Sequence, residues 1–303
     1  MMGMIMMKKQ ANKGNASIVL CILITAIFGF TAFALDIGLV YTEKVKLSNA
    51  MDSAALAAAL ELPNNETKAV AVAQDYLRKN GVDPNNTAIG IASDKKSIQI
   101  AGTVNVKHLF APIIGIESSN VSAGNSAIIG PVKSVKGGIR PFAVQKFNYS
   151  YGDLVTLKTG AGDGYSGNYG TVALGGTGNN VFRNNALYGY NGTITVGDYI
   201  DTETGDMAGT ANEIKNYVNS ENSTFNNFPR NSIRIWTIPI VNNFMVNGRD
   251  QIQVSGFAEF YVEDVNKKSG NIEIRGRFIQ YVINAPIDTS LSDTGLYGAK
   301  LSK

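Results

Sequence analysis

SIVLCILITAIFGFTAFALDIGLVY, residues 17–41, decides how the rest of the chain is read. From Ser17 to Leu35 it carries no charge. About 19 helical residues at ~1.5 Å each span ~28 Å, close to the hydrocarbon thickness of a bilayer. A cleaved signal peptide would have a shorter apolar stretch closed by a small-residue cleavage site. Here Tyr41 to Leu60 runs on without proline or glycine into an alanine-rich end, so the helix continues beyond the membrane. Lys8, Lys9 and Lys13 precede the apolar run and Asp36 follows it, which places the N-terminus in the cytoplasm. Asp36 then falls near the far interface, where ionisation costs much less than at the midplane. Thr25 and Gly29, and likewise Ala34 and Gly38, form small-xxx-small pairs that admit a second helix, the latter pair flanking Asp36. Leu39 and Val40 stand at i+3 and i+4 from Asp36, so a partner for its carboxylate has to come from outside its own turn, and a partner helix is the expectation.

Composition narrows the function. The chain has 303 residues and a net charge of +3, which the three N-terminal lysines supply. Beyond Tyr41, 24 basic residues face 23 acidic ones, leaving no basic field for a phosphate backbone; nucleic acid is not a partner. Cys21 is the single cysteine and lies in the apolar run, so the remainder forms no internal disulfide and has no thiolate or Cys-ligated zinc. His108 is the single histidine; HExxH is absent, and a structural or surface role is expected for it.

Outward from the helix, Asn64 or Asn65 caps a second one in which Ala69, Val72, Ala73, Tyr76 and Leu77 share a face, and Asn80-Gly81 ends it. Ile98, Ile100, Val104 and Val106 line one face of a strand. A short helical stretch near 107–115 and a strand near 119–129 follow. PVKSVKGG, residues 131–138, has the composition of a linker. Beyond it, short apolar alternations are broken by glycine and asparagine. Ile252, Val254, Ala258, Phe260 and Val262 mark one strand face and Ile272, Ile274 and Phe278 another, with Gly256 and Gly276 as bulge positions. Asn212 to Ser220 reads as a helix. The expected fold is α+β: a long N-terminal transmembrane helix continuing into a small pilin-like α+β module, then a β-rich domain with helical insertions. The expected divisions are 1–16 cytoplasmic, 17–41 transmembrane, 42–130 helical stalk and α+β module, 131–138 linker, and 139–303 a β-rich exported domain.

Residues 14–60 resemble the N-terminal segment of TadG-like proteins of the Tad (Flp, type IVc) pilus assembly system. The likeness rests on Gly14-Asn15 before the apolar run, Asp36-Ile37-Gly38 at its end, and Tyr41. Leu47, Asn49, Ala50 and Asp52 then lead into Ala54-Ala55-Leu56-Ala57-Ala58-Ala59. The resemblance implies a single-pass membrane protein with an exported body, acting with pilins or other pilus-assembly subunits and a secretion ATPase. Prepilin-type cleavage after Gly14 would put Val19 where pilins have glutamate, so that maturation is not expected. GNYGTVALGG, YNGTITVGDYIDTETGDMAG and VSGFAEFYV resemble the C-terminal region of longer TadG-related proteins, a likeness that implies no activity.

Three motifs touch on chemistry. GDGYSG (162–167) matches GxGxxG but precedes a strand rather than a helix, so no nucleotide site is expected. DTSLS (288–292) matches the DxSxS of metal-dependent adhesion sites, yet too little chain follows for the α/β domain that motif opens. Asp198, Asp201, Glu203 and Asp206 place four carboxylates in DYIDTETGD, which reads either as a solvated acidic loop or as a calcium site outside the EF-hand spacing. No other cofactor and no catalytic residue are indicated. The reading is a membrane-anchored structural or assembly component of a Tad-like pilus or secretion apparatus. A membrane-tethered surface binding module or adhesin is the alternative, and a tethered hydrolase with a paired-carboxylate cleft stands third.

Overall fold

The structure, a computed structural model, describes residues 13–145, 149–158, 169–203, 208–243, 250–268 and 271–302. A single 47-residue helix, α1 (Lys13–Ala59), runs through the apolar segment and the alanine-rich stretch without a break. At ~1.5 Å per residue it is about 70 Å long. Its two halves differ in environment. Residues 16–31 are exposed on every side, as suits a helix apolar all round whose solvent is lipid. From Leu47 onward one stripe is buried: Leu47, Ala50, Met51, Ala54, Ala55 and Ala58. The alanines let the helix lie close against its neighbours.

Those neighbours are α2 (Glu66–Lys79) and a sheet begun by β1 (Thr87–Ile91), β2 (Ser97–Lys107) and β3 (Ser118–Pro131). Asn65 caps α2 by accepting from Lys68 N at 2.8 Å, and Gly81 follows its C-terminus at φ +76°. Ile98, Ile100 and Val106 are buried and Val104 partly so, as their alternation predicts. Gly102 brings the strand close to α1: a Cβ there would stand 2.7 Å from Met51 Cε. Asn125 on β3 donates to Ser48 O and Oγ, both at 3.2 Å, tying the sheet to α1.

The chain then enters its β-rich region through β4 (Ser134–Lys136), β5 (Phe142–Gln145), β6 (Leu154–Lys158) and β7 (Tyr169–Ala173). Helix α3 (Asn179–Tyr188), β8 (Thr193–Thr195), β9 (Tyr199–Thr202) and α4 (Ala211–Asn219) follow. Last come β10 (Ile235–Val241), β11 (Gln251–Lys268), β12 (Asn271–Ile279), β13 (Tyr281–Ile283) and β14 (Leu296–Ser302). Seven strands form one sheet in the order β10-β5-β7-β9-β11-β12-β6, and β10 also pairs with β11, closing five of them into a ring. Closure removes edges that would otherwise invite pairing with other chains. One core, under α3 and α4, holds Phe142 stacked on Trp236 at 5.4 Å together with Phe182, Ile214, Phe260 and Phe278. Both sequence-marked glycines flank register shifts, Gly256 beside Ile240/Val241 and Gly276 opposite Val262/Asp264.

Two divisions drawn from composition change. Residues 131–138 are not a free linker, because β4 pairs antiparallel with β8. Nor does 139–303 form one unit, since β14 and β13 complete the first sheet in the order β1-β2-β3-β14-β13. Composition cannot report strand partners: Tyr297 on β14 joins the core under α1, while its neighbour Leu296 joins a core of the β-rich region. The chain returns to where it began, and the two parts share a seam.

Candidate functional site at the membrane exit

Asp36 is 3% exposed although its helix is bare on most sides at that height. What buries it is the loop between β2 and β3. Its Oδ1 accepts from Leu109 N at 2.7 Å, and its Oδ2 from Phe110 N at 3.0 Å and Ala111 N at 2.7 Å. The donors expected from a second helix thus come from the chain's own backbone. Three consecutive amides converge because Ala111–Ile114 is a 3₁₀ turn whose leading N–H groups have no partner within the turn. A carboxylate at that position satisfies them with charge-assisted bonds. Gly115, at φ +84°, closes the turn, and Ile116 N returns to Ala111 O at 3.1 Å. His108 pins the base: Nδ1–H donates to Ile116 O at 3.2 Å, and Nε2 lies 3.0 Å from Ser119 Oγ. The single histidine is structural.

The helix places Asp36 on this side by its own periodicity. At ~100° per residue, Asp36 and Val40 lie on the stripe continued by Leu47, Met51, Ala54 and Ala58. Thr25 and Gly29 fall on the same azimuth, deeper in the apolar segment. Ala34 and Gly38 fall on the opposite one, with Tyr41 and Val45. The two small-residue pairs therefore do not share a face. Thr25, Gly29, Ala34 and Gly38 are all exposed, and a Cβ on Gly29 or Gly38 would meet nothing within 4 Å.

The acidic stretch is not gathered into one site among the described residues. Asp198 Oδ2 accepts from Thr195 N at 2.8 Å, and Asp201 Oδ1 from Gln251 Nε2 at 3.2 Å. Glu203 is buried, with Oε2 accepting from Gly178 N at 3.1 Å. Asp206 lies outside the described residues, as does GDGYSG. No three His, Cys, Asp or Glu side chains among the described residues come together to hold a metal. Asp288 forms a local turn instead, its Oδ1 accepting from Ser290 N at 3.0 Å and Ser290 Oγ at 2.6 Å.

Two further features escaped sequence reading. A cleft of about 490 Å³ lies where the α1–α2 turn meets the β-rich region, lined in part by Tyr151, Phe225, Phe228, Arg230 and Tyr281. Arg230 Nη1 donates across it to Leu60 O at 3.1 Å, and Asn64 Nδ2 to Gln280 O at 2.7 Å. Elsewhere, Glu259 is buried on β11, its Oε1 accepting from Thr237 Oγ1 at 2.6 Å. Burial pushes its carboxyl up to about 7, against the opposing hydrogen bond from Thr237 and the charge of Arg140. Neither feature has a local sequence signal, because each is assembled from residues far apart in the chain.

Among the described residues one helix is long and apolar enough to cross a bilayer, and a folded body is latched to its far end, which supports a membrane-anchored protein. Residues 14–61 match the family model Tad, described as putative Flp pilus-assembly TadE/G-like, and over this segment the chain is similar to that family. That span covers α1 from Gly14 to its end, and it includes Asp36 and the small residues Thr25, Gly29, Ala34 and Gly38. By that description the matched family is one of pilus assembly. No curated protein and no solved structure matches the chain.

Proposed function

We propose that the protein is a minor-pilin-like structural or assembly component of a Tad/Flp-type pilus or secretion apparatus, held in the membrane by α1 with its body outside the cytoplasm. The observation that carries this reading is the coincidence of the TadE/G-like match with a helix stripe that the body leaves uncovered: Ala34, Gly38, Tyr41 and Val45. Tyr41 is 69% exposed, and the small residues below it admit close approach of another helix. The partners are pilins or other assembly subunits. Gly38→Leu and Ala34→Leu should lower co-isolation with those subunits from the native host while leaving membrane insertion intact. Unchanged co-isolation for both variants overturns the helix-packing role. Orientation is read separately: Asp94→Cys, in a Cys21→Ala background, should react with an impermeant thiol reagent on intact cells.

A second reading, a membrane-tethered surface binding module or adhesin, is favoured by the cleft lined by Tyr151, Phe225, Phe228 and Tyr281. Aromatic rings at a cleft suit a sugar or peptide ligand. Binding of such a ligand by the full chain, lost in Phe228→Ala with the co-isolated subunits retained, would move the function there.

A further inference from the structure

We propose that the Leu109–Ile116 loop is a second membrane contact: an apolar tip, latched by Asp36, that enters the bilayer leaflet at the end where α1 emerges. This rests on the membrane-anchored reading of α1 but not on the pilus role. The loop sequence is LFAPIIGI, and its five large apolar side chains are exposed. Leu109 is 68% exposed, Ile113 86% and Ile114 73%, with Phe110 and Ile116 also exposed. A cluster of large apolar side chains held away from the core is abnormal for a water-facing loop. Its neighbours resolve the anomaly.

The hairpin carries the loop toward the bilayer. Gly102 lies against Met51, and seven residues later Leu109 lies against Asp36. The five strand residues to Lys107 at ~3.3 Å and the two that follow advance roughly 20 Å, and fifteen helical residues at ~1.5 Å about 22 Å. The strand and the helix thus keep step, with the strand running toward the membrane half of α1. Asp36 directly follows the uncharged run from Ser17 to Leu35, so the amides it holds lie at the hydrocarbon boundary and the isoleucines extend from there. Lys107 and Glu117, both exposed, flank the tip where headgroups would be.

The latch also makes entry feasible. Backbone N–H groups taken into a low-dielectric interface without partners are costly. Asp36 satisfies three of them in advance, and Ile113 N and Gly115 N are satisfied within the turn. The large side chains left exposed around these satisfied amides, Leu109, Phe110, Ile113, Ile114 and Ile116, are all apolar.

The test uses the full chain in proteoliposomes with an environment-sensitive fluorophore on one cysteine at a time. The sites are Cys21 itself, and Ile113→Cys or Asp94→Cys in a Cys21→Ala background. Asp94 is exposed in the turn between β1 and β2, at the opposite end of the hairpin. Acyl-chain nitroxide lipids should quench the label at 113 about twofold or more above the label at 94, as expected for an interfacial insertion, and aqueous iodide should reach it less. Asp36→Ala should reduce this difference while the Cys21 label stays quenched. A label at 113 open to iodide and untouched by nitroxide lipid, with the Cys21 label quenched, overturns the proposal alone. An unquenched Cys21 label overturns the membrane reading of α1 as well. Shielding at 113 that appears only after partner subunits are added assigns the loop to a protein partner and equally overturns the lipid contact.

Discussion

Asp36→Asn is a nearly isosteric change, and the geometry around residue 36 makes its cost calculable. The carboxylate offers two acceptor oxygens to three amides, at 2.7, 3.0 and 2.7 Å. An asparagine keeps one acceptor and turns an NH₂ toward whichever amide faced the other oxygen. At least one N–H therefore loses its acceptor and meets a donor. Hydrogen bonds to a charged group contribute about 1.5–3 kcal/mol each, so the latch should weaken by roughly 2–3 kcal/mol. Local opening governs amide exchange in such a segment, and each ~1.4 kcal/mol is tenfold, so exchange should accelerate about 30- to 150-fold. The measurement is hydrogen exchange with mass spectrometry on the full chain in lipid nanodiscs, following peptides that cover 108–116. Peptides from Ser97 to Val106 should keep their protection, because that strand is held by β1, β3 and α1. Asp36→Ala should open the loop further still. If both variants leave 108–116 as protected as before, the three contacts do not hold the loop and the reasoning fails.

Glu259 gives a pH dependence. Its carboxyl is raised to about 7 in the folded chain against an ordinary 4.5. The folded state therefore holds the proton more tightly, and stability falls as pH rises from about 4.5 to about 7, by on the order of 3 kcal/mol. Melting in detergent at pH 5 and pH 7.5 should show the loss, and Glu259→Gln should remove most of it; an unchanged slope in the variant sinks the assignment. Gly276→Ala should destabilise by about 1–3 kcal/mol or more, since a Cβ there would stand 2.1 Å from Tyr261 O and 2.6 Å from the Phe260 ring. A melting temperature equal to wild type would show that β11 and β12 are not packed as described. For calcium, Asp198 and Glu203 already hold backbone amides, so melting should be equal in chelator and in millimolar calcium; a calcium-dependent rise lost in Asp201→Asn would restore the ion site through linkage.

The sequence made some of this legible and hid the rest for identifiable reasons. Helices and strands governed by short-range periodicity were readable: α2 from its cap and 3.6-residue stripe, β2 from alternation, α4 from Asn212 onward. Helix α3 was not placed, because Gly178 at its N-cap has no side-chain acceptor and a polar residue, Asn185, stands on its buried face. The return of β14 to the first sheet was invisible, since LYGAKLS carries no sign of its partner. At the site, the charge of Asp36 and its interfacial depth were plain. Its side of the helix was also available, because 36 and 40 extend the 47-51-54-58 stripe that packs on the body. What could not be read was the donor. Backbone amides have no letter in a sequence, and a loop brought 73 to 75 residues along the chain is joined only by the β2–β3 hairpin.

These geometries bear on what a protein with one apolar helix can do in an assembly. A single helix fixes a body's distance from the membrane but leaves it free to rotate and tilt about the helix axis. An uncovered stripe on that helix is useful to a partner only if the body above it does not swing into the partner's path. Here α1 has no break between Lys13 and Ala59, and its upper half is packed into the body, so the azimuth of the body and that of Ala34, Gly38 and Tyr41 are one variable. The Asp36 latch occupies the opposite azimuth, which keeps the loop and the small-residue stripe from competing for space. With the tip resting in lipid on one side, tilt toward the partner side would lift apolar side chains out of the leaflet. The same aspartate that marks the membrane exit in the sequence thus joins the helix, the body and the bilayer surface into one rigid frame, with its open face turned away from the loop.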